Sequence, residues 1–280
     1  MKAFSCLHMA LAFAAISESD AGLAGSVLDA ALWSFVAMVP VLISAWVGLK
    51  FSPGKRITSL LLALSSGLLI ALLSYDLVDV AFRLGGITPS LGGFAMGIIV
   101  YIVANRVVSE GGIGRRNSRV CGGLGDLSED QLSERNASIA LVIGAALDGI
   151  PESMSIGISF LDNTLVSASV VLAVAVANIP EGLASGVGLK RSGFSEKKVL
   201  LIWSAVVLAC GVASTIAYIG MRDVSLSAKA ALTAFAGGGV LAMTFNTIVP
   251  EAYEETHDSI SILGGIGFAT AFVVSHMFSH

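Results

Sequence analysis

The chain has 280 residues, of which 55% are hydrophobic and 13% charged, and its mean hydropathy is +0.85. This composition excludes a soluble globular domain, and the length exceeds that of a single membrane anchor. The net charge of −4 says little about partners, because the distribution of Lys and Arg among loops carries the topology. We therefore predict an all-α membrane protein whose surroundings are the lipid bilayer, with no nucleic-acid partner.

The first 25 residues resemble a short signal sequence. Lys2 precedes an apolar run from Ala3 to Ile16, and polar residues follow at 17–20. An uncleaved leading helix and an unstructured extracytoplasmic segment are the alternatives. We therefore separate residues 1–25 from a predicted transmembrane domain at 26–280.

Apolar stretches of about 20 residues, the length that a bilayer core requires, recur along the rest of the chain. They predict eight spans, at 29–48, 57–81, 88–107, 138–160, 165–189, 198–219, 228–250 and 260–279. One long hydrophilic segment, residues 108–136, follows the third span and is predicted to be a flexible cytoplasmic loop. Trp33, Trp46 and Trp203 lie near predicted span ends, which is typical of anchoring at the membrane interface.

Basic residues are concentrated in alternate loops. Twelve Lys and Arg residues lie in the loops after spans one, three and five, whereas only Arg83, Arg222 and Lys229 lie in the other loops. Short loops rich in Lys and Arg stay in the cytoplasm. The pattern therefore places both ends of the eight-span bundle outside the cytoplasm.

Two parts of the chain resemble each other. Residues 67–81 of the second span and 238–252 of the seventh share a glycine start, an apolar middle and a late acid. Leu91–Gly97 in the third span likewise resembles residues 263–268 in the eighth. With three spans in each repeat, the two copies must have opposite orientations in the membrane. We therefore predict a 3+2+3 inverted-repeat bundle, the arrangement of many secondary transporters.

Proline directly precedes glutamate three times, at Pro151-Glu152, Pro180-Glu181 and Pro250-Glu251, and the first two pairs lie inside long apolar runs. A charged side chain at the bilayer centre costs about 3 kcal/mol and normally faces a bundle interior. Proline also leaves the carbonyl four residues earlier without its helical donor, here those of Leu147 and Val176. These pairs therefore indicate an ion or substrate path.

Four polar side chains on the fourth and fifth spans predict a cation site. Asp148 and Glu152 are four residues apart, and Asn178 and Glu181 are three apart, so each pair shares a helix face. If the two spans pack together, three carboxylates and one amide can hold a divalent cation. For a single acid the alternative is a carboxyl group that is protonated or bonded to a neighbouring helix.

Other polar residues are weaker candidates. Possible path or gate residues are Asp76 and Asp79 on the second span and Asn246 and Glu251 on the seventh, against the alternative of ordinary helix-end polarity. The histidines are His8, His257, His276 and His280, and none lies near the three acids and the amide in sequence. The three dispersed cysteines predict neither a disulfide framework nor a thiolate site.

On these motifs the chain resembles the ZIP (Zrt/Irt-like) divalent metal transporters, whose fourth and fifth spans carry paired proline-glutamate motifs around the metal. The resemblance covers about residues 30–280. It implies a transporter, not an enzyme, that moves Zn, Fe or Mn into the cytoplasm by an elevator-like or rocking alternation. The metal is then the substrate, no organic cofactor is expected, and a cell-membrane location follows. A homodimer is an alternative that the sequence leaves open.

The chain departs from the family pattern at three places. Asp148 stands where the family usually has histidine, and Ala177 stands at a frequent His or Gln position. Asn246 and Thr247 occupy the region where a glutamate often precedes the seventh-span proline. An all-oxygen site shifts the expected ion from Zn toward Mn or Fe(II), and a second metal position is not expected.

Other function classes are alternatives, among them transport of protons or of a different solute. A non-transporting metal sensor or structural membrane protein would bind metal without flux. An intramembrane hydrolase is disfavoured, because the sequence has no paired His-Glu zinc motif and no activated serine.

Overall fold

The computed structural model describes most of the chain between positions 27 and 278 and contains no strand in that part. The described residues are 27–110, 142–144, 146, 147, 149–154, 156–158, 160 and 168–278. The predicted signal segment 1–25 and most of the predicted loop 108–136 lie outside them.

The helices are numbered in chain order. They are α1 (Val27–Phe51), α2 (Lys55–Gly85), α3 (Ile87–Glu110), α4 (the helical residues described between 142 and 158), α5 (Ala168–Arg191), α6 (Glu196–Gly220), α7 (Leu226–Thr256) and α8 (Ser259–Phe278). Each overlaps one predicted span, and most extend a few residues beyond the predicted ends.

Five of these helices, α1, α2, α3, α6 and α7, are long and apolar enough to cross a bilayer. The apolar part of α8, Ser259–Val274, is shorter. Large apolar side chains point outward from the bundle, among them Ile43, Leu201 and Ile262. A surface of this kind is suited to lipid, so the described residues form an all-α membrane protein.

A first helix group consists of α1, α4, α5 and α6. Helix α1 runs antiparallel to α6, since Ser214 Oγ donates to Ala30 O at 2.8 Å near one end and Lys50 pairs with Glu196 near the other. Helix α5 runs parallel to α1, with Gly182 against Val41 and Gly186 against Ala45.

Glycines let α4 and α5 approach their neighbours at backbone distance. A side chain at Gly157 would overlap Ser214 O of α6, and one at Gly186 would meet Ala45 of α1. Small residues at such crossings are typical of packed membrane helices. At its beginning α4 also contacts α7, where Gly144 meets Met243.

A second helix group consists of α2, α3, α7 and α8, and its contacts repeat. A side chain at Gly97 of α3 would overlap Phe235 O of α7, and one at Gly267 of α8 would overlap Leu64 O of α2. The partner helices α7 and α2 each contribute a glycine that makes the same kind of backbone contact. Gly238 lies against Phe94 O, and Gly67 lies against Gly264 O. The α3–α7 and α2–α8 pairs are therefore two copies of one packing unit.

The same equivalence appears inside α2 and α7, which run antiparallel to each other. Each spans 31 residues and begins with 18 residues of α-helix. A π-helical turn follows in each, Leu73–Val78 in α2 and Thr244–Ile248 in α7. This register matches the sequence alignment of 67–81 with 238–252. In α3 and α8, however, packing makes Gly97 equivalent to Gly267, which differs from the register suggested by their shared Leu-Gly-Gly motif.

One sequence expectation about the fold is wrong. Trp203 was expected at a membrane interface, but it is fully buried in the main apolar core of the bundle. Its position on α6 faces the other helices of the first group, so burial of its large ring outweighs any preference for the interface. Trp46, in contrast, is exposed.

Candidate metal site

Three of the four predicted ligands are described, and all three are buried. Their exposed fractions are 5% for Glu152, 7% for Asn178 and 2% for Glu181. Asp148 lies outside the described residues. Burying a carboxylate among apolar helices is costly unless a cation or hydrogen-bond donors compensate it. Two such acids in one bundle therefore identify its polar interior.

Proline precedes both acids within helical structure. Helix α5 continues through Pro180, and the described residues of α4 are helical on both sides of Pro151. A proline has no N–H, so Leu147 O and Val176 O lose their helical donors. Leu147 O lies 3.9 Å from the position that a Cβ atom on Gly239 would occupy, so this carbonyl is directed toward α7.

Met38 of α1 joins the two helices that carry the acids. Its sulfur lies 3.5 Å from Asn178 Nδ2 on α5, and 3.6 Å from the position of a Cβ atom on Gly149 of α4. Gly149 and Asn178 each precede a predicted ligand glutamate by three residues, which is nearly one helical turn. Gly149 and Asn178 therefore lie at the same level of the bundle, and each glutamate follows about one turn later on its own helix.

The side chain of Asn178 has a defined orientation. Its Nδ2 donates to Ala37 O at 3.1 Å as well as to Met38 Sδ. Because a carbonyl oxygen only accepts, the amide nitrogen must be the atom that faces Ala37. The amide oxygen is consequently directed away from Ala37 O and can serve a cation.

The site also touches the second helix group. Ser65 Oγ of α2 donates to Ala177 O at 3.2 Å, one residue before Asn178. Ser65 is fully buried. This hydrogen bond connects the two helix groups beside the predicted ligands.

The weaker candidates lie in and after the π-helical turns. Asp76 and Asn246 are within the turns of α2 and α7, a location that is often functional. Asp79 pairs with Arg83 at 2.7 Å on the surface of α2, and Glu251 is half-buried in the first turn after the π-helical segment of α7. Asn246 is exposed.

In the part of the chain that the structure describes, no three His, Cys, Asp or Glu side chains come together. This does not test the predicted ligand set, because one of its three carboxylates, Asp148, lies outside that part and Asn178 contributes an amide. Of the histidines, His257 is exposed in the turn after α7. The side chains of the other three lie outside the described part of the chain.

Sequence reasoning missed the part that α1 plays in this site. Ala37 contributes only its backbone, and Met38 is one apolar residue among many in its span. Neither has a spacing or chemistry that marks it in one sequence. Ser65 was missed for the same reason, although a buried serine pair in an apolar span is a weak signal of an interhelical hydrogen bond.

Comparison with known proteins identifies the family of the chain. The model of a family described as "ZIP zinc transporter" matches residues 115–274, which is more than half of the chain. That range includes both buried proline-glutamate motifs. No match was found among curated proteins. By the family match, the chain belongs to the ZIP zinc transporter family, whose members transport divalent metal ions.

Proposed function

We propose that the protein moves a divalent metal cation across the membrane toward the cytoplasm through a carboxylate site formed by Asp148, Glu152, Asn178 and Glu181. The observation that carries this proposal is the burial of Glu152 and Glu181. They lie close to Asn178, whose amide nitrogen already donates to a backbone carbonyl of α1. Carboxylate and amide oxygens at this depth are suited to a hard or borderline cation.

The proposed arrangement is an eight-span, 3+2+3 inverted repeat with both termini outside the cytoplasm. The matching π-helical turns and glycine contacts of the second helix group support the repeat. Basic residues support the orientation, because Lys190 donates to Leu49 O and Arg191 to Pro53 O at one end of the first group. Lys50 lies at the same end, which we assign to the cytoplasm.

The two helix groups suggest how the site becomes accessible to each side in turn. The first group carries the predicted ligands, and the second group is built of two equivalent helix pairs. Movement of the first group against the second, in an elevator-like or rocking manner, would carry the ligands with it. Small residues at the helix contacts are compatible with such sliding.

The oxygen ligands favour Mn or Fe(II) over Zn, without excluding Zn. The test is uptake of Mn, Fe(II) and Zn by proteoliposomes containing the purified protein. We expect flux of Mn or Fe(II) at least equal to that of Zn. Transport of Zn alone would contradict this ion preference.

The same assay tests the site. Uptake by the wild type is compared with a Glu152→Gln, Glu181→Gln double variant and with a Glu254→Gln, Glu255→Gln control. The control makes the same chemical change at two exposed residues of α7. We expect loss of flux only in the first variant. Bound metal without flux in the wild type would instead support the metal sensor or structural protein.

A further inference from the structure

The amide of Asn178 is held by two acceptors that both belong to α1. Nδ2 lies 3.1 Å from Ala37 O and 3.5 Å from Met38 Sδ. Both acceptors are buried, as is Asn178 itself. The nitrogen has two hydrogens, so it can serve both contacts at once. The side chain therefore has little freedom to rotate.

Met38 is itself fixed from the opposite side. A Cβ atom on Gly149 would lie only 2.8 Å from Met38 Cε, so the absence of a side chain there is what lets the methionine fit between α4 and α5. The methionine is almost fully buried. Its sulfur thus has a defined position between the two helices that carry the predicted ligands.

We propose that Ala37 O and Met38 Sδ are positioning groups that turn the Asn178 oxygen toward the metal, and that position 178 consequently requires a neutral amide. This inference rests on the proposed metal transport. It assigns a role to α1, which contributes no predicted ligand. Groups that orient metal ligands often matter nearly as much as the ligands themselves.

The positioning role and ligand chemistry alone predict opposite effects of Asn178→Asp on metal transport. A carboxylate usually binds a divalent cation more strongly than an amide, so Asn178→Asp would raise affinity if only the ligand type mattered. A carboxylate has no hydrogen to donate to Ala37 O, however, and two acceptor oxygens would then face each other in a buried place. The aspartate would have to turn away and lose the ligand geometry.

The experiment measures the concentration dependence of Zn and of Mn uptake in proteoliposomes for four variants. They are Asn178→Asp, Asn178→Ala, Met38→Leu and Met243→Leu. Met243→Leu is the matched control, because Met243 is equally buried and packs against α4 at Gly144 rather than at the ligands. Exchange of Met for Leu conserves volume and is usually tolerated.

We expect Asn178→Asp to lose about tenfold or more of the uptake rate, like Asn178→Ala. Met38→Leu should raise the half-saturating metal concentration by about tenfold while the maximal rate stays close to that of the wild type. Met243→Leu should change neither quantity. A purely structural role of Met38 would lower the amount of folded protein without this separation of the two constants.

Two results would overturn the inference and leave metal transport standing. One is an Asn178→Asp variant as active as the wild type or more so. The other is a Met38→Leu variant with the same half-saturating metal concentration as Met243→Leu. This comparison still tests the inference if Asn178→Asp fails to fold. A wild-type protein that transports neither ion would instead refute the proposed function itself.

Discussion

Close glycine contacts occur in both helix groups, but the groups differ in the contacts that accompany them and in whether those contacts repeat. In the first group, side chains from α5 and α6 donate to backbone carbonyls of α1, as Asn178 does to Ala37 and Ser214 does to Ala30. In the second group, bare glycine backbones meet in two equivalent pairs, at Gly97 and at Gly267. The first arrangement is specific to individual polar residues, whereas the second is repeated. The candidate ligands and the unrepeated polar contacts are therefore found together in the first group. The second group has repeated contacts, as expected of a rigid scaffold.

The largest expected difference between the groups concerns transport. Glu181→Gln in the first group should reduce metal uptake by about 100-fold, because it removes a buried ligand. Asp79→Asn in the second group should change uptake by less than about threefold, because Asp79 is paired with Arg83 at the surface and such pairs contribute little. Uptake assays on both variants at equal protein density test this. Equal losses would extend the metal path into the second group.

The glycine contacts predict the next largest effect. Gly97→Val and Gly267→Val should each destabilise the protein by about 1 to 3 kcal/mol, since the added side chain meets backbone that cannot move aside. Gly92→Val and Gly265→Val are matched controls, because no atom lies within 4 Å of a Cβ added there. Thermal unfolding in detergent measures all four. Clearly unequal losses at Gly97 and Gly267 would argue against two equivalent helix pairs.

The hydrogen bond between the groups predicts a smaller effect. Ser65→Ala removes the bond to Ala177 O and should lower the free energy of unfolding by about 1 kcal/mol. Ser66→Ala is the control, because Ser66 donates to Ala63 O within its own helix and should have a smaller effect. The melting temperatures of the two variants provide the comparison. Identical melting temperatures would mean that the contact between α2 and α5 adds nothing to stability.

The ion pair at the end of the first group should matter least. Lys50 and Glu196 lie 3.0 Å apart, but both side chains are nearly half exposed. Exposed pairs contribute little to stability, and salt screens them. Lys50→Ala should therefore change the melting temperature only slightly, and less in high salt than in low salt. A large, salt-independent loss would show that Lys50 has another role.

Much of the fold could be predicted because the bilayer restricts it. Spans of about 20 apolar residues follow from membrane thickness, and the described helices overlap all of the predicted ones. The alignment of 67–81 with 238–252 also predicted the register in which the two π-helical turns correspond. The register of α3 and α8 could not be chosen in the same way, because several glycines allow several alignments and only packing selects Gly97 and Gly267.

Candidate ligands can be recognised in the sequence only where they are chemically unusual for a membrane span. Glu152, Asn178 and Glu181 stand out as polar residues in apolar runs, and each is buried. The groups that orient them do not stand out, since Ala37 acts through its carbonyl and Met38 is an ordinary apolar side chain. The burial of Trp203 was missed because an aromatic residue near a span end fits both the interface and the core.

The most direct test of the account is to locate the transported ion by anomalous diffraction from crystals of the protein grown with Mn or Zn. We predict an ion bounded by carboxylate oxygens of Asp148, Glu152 and Glu181 and by Oδ1 of Asn178. The amide nitrogen of Asn178 should still face Ala37 O. Metal bound only elsewhere, such as near the terminal histidines, would contradict the proposed site. If the ion were found beside Asn178 with the amide oxygen of Asn178 facing Ala37 O and its nitrogen facing the ion, the role assigned to α1 would be contradicted.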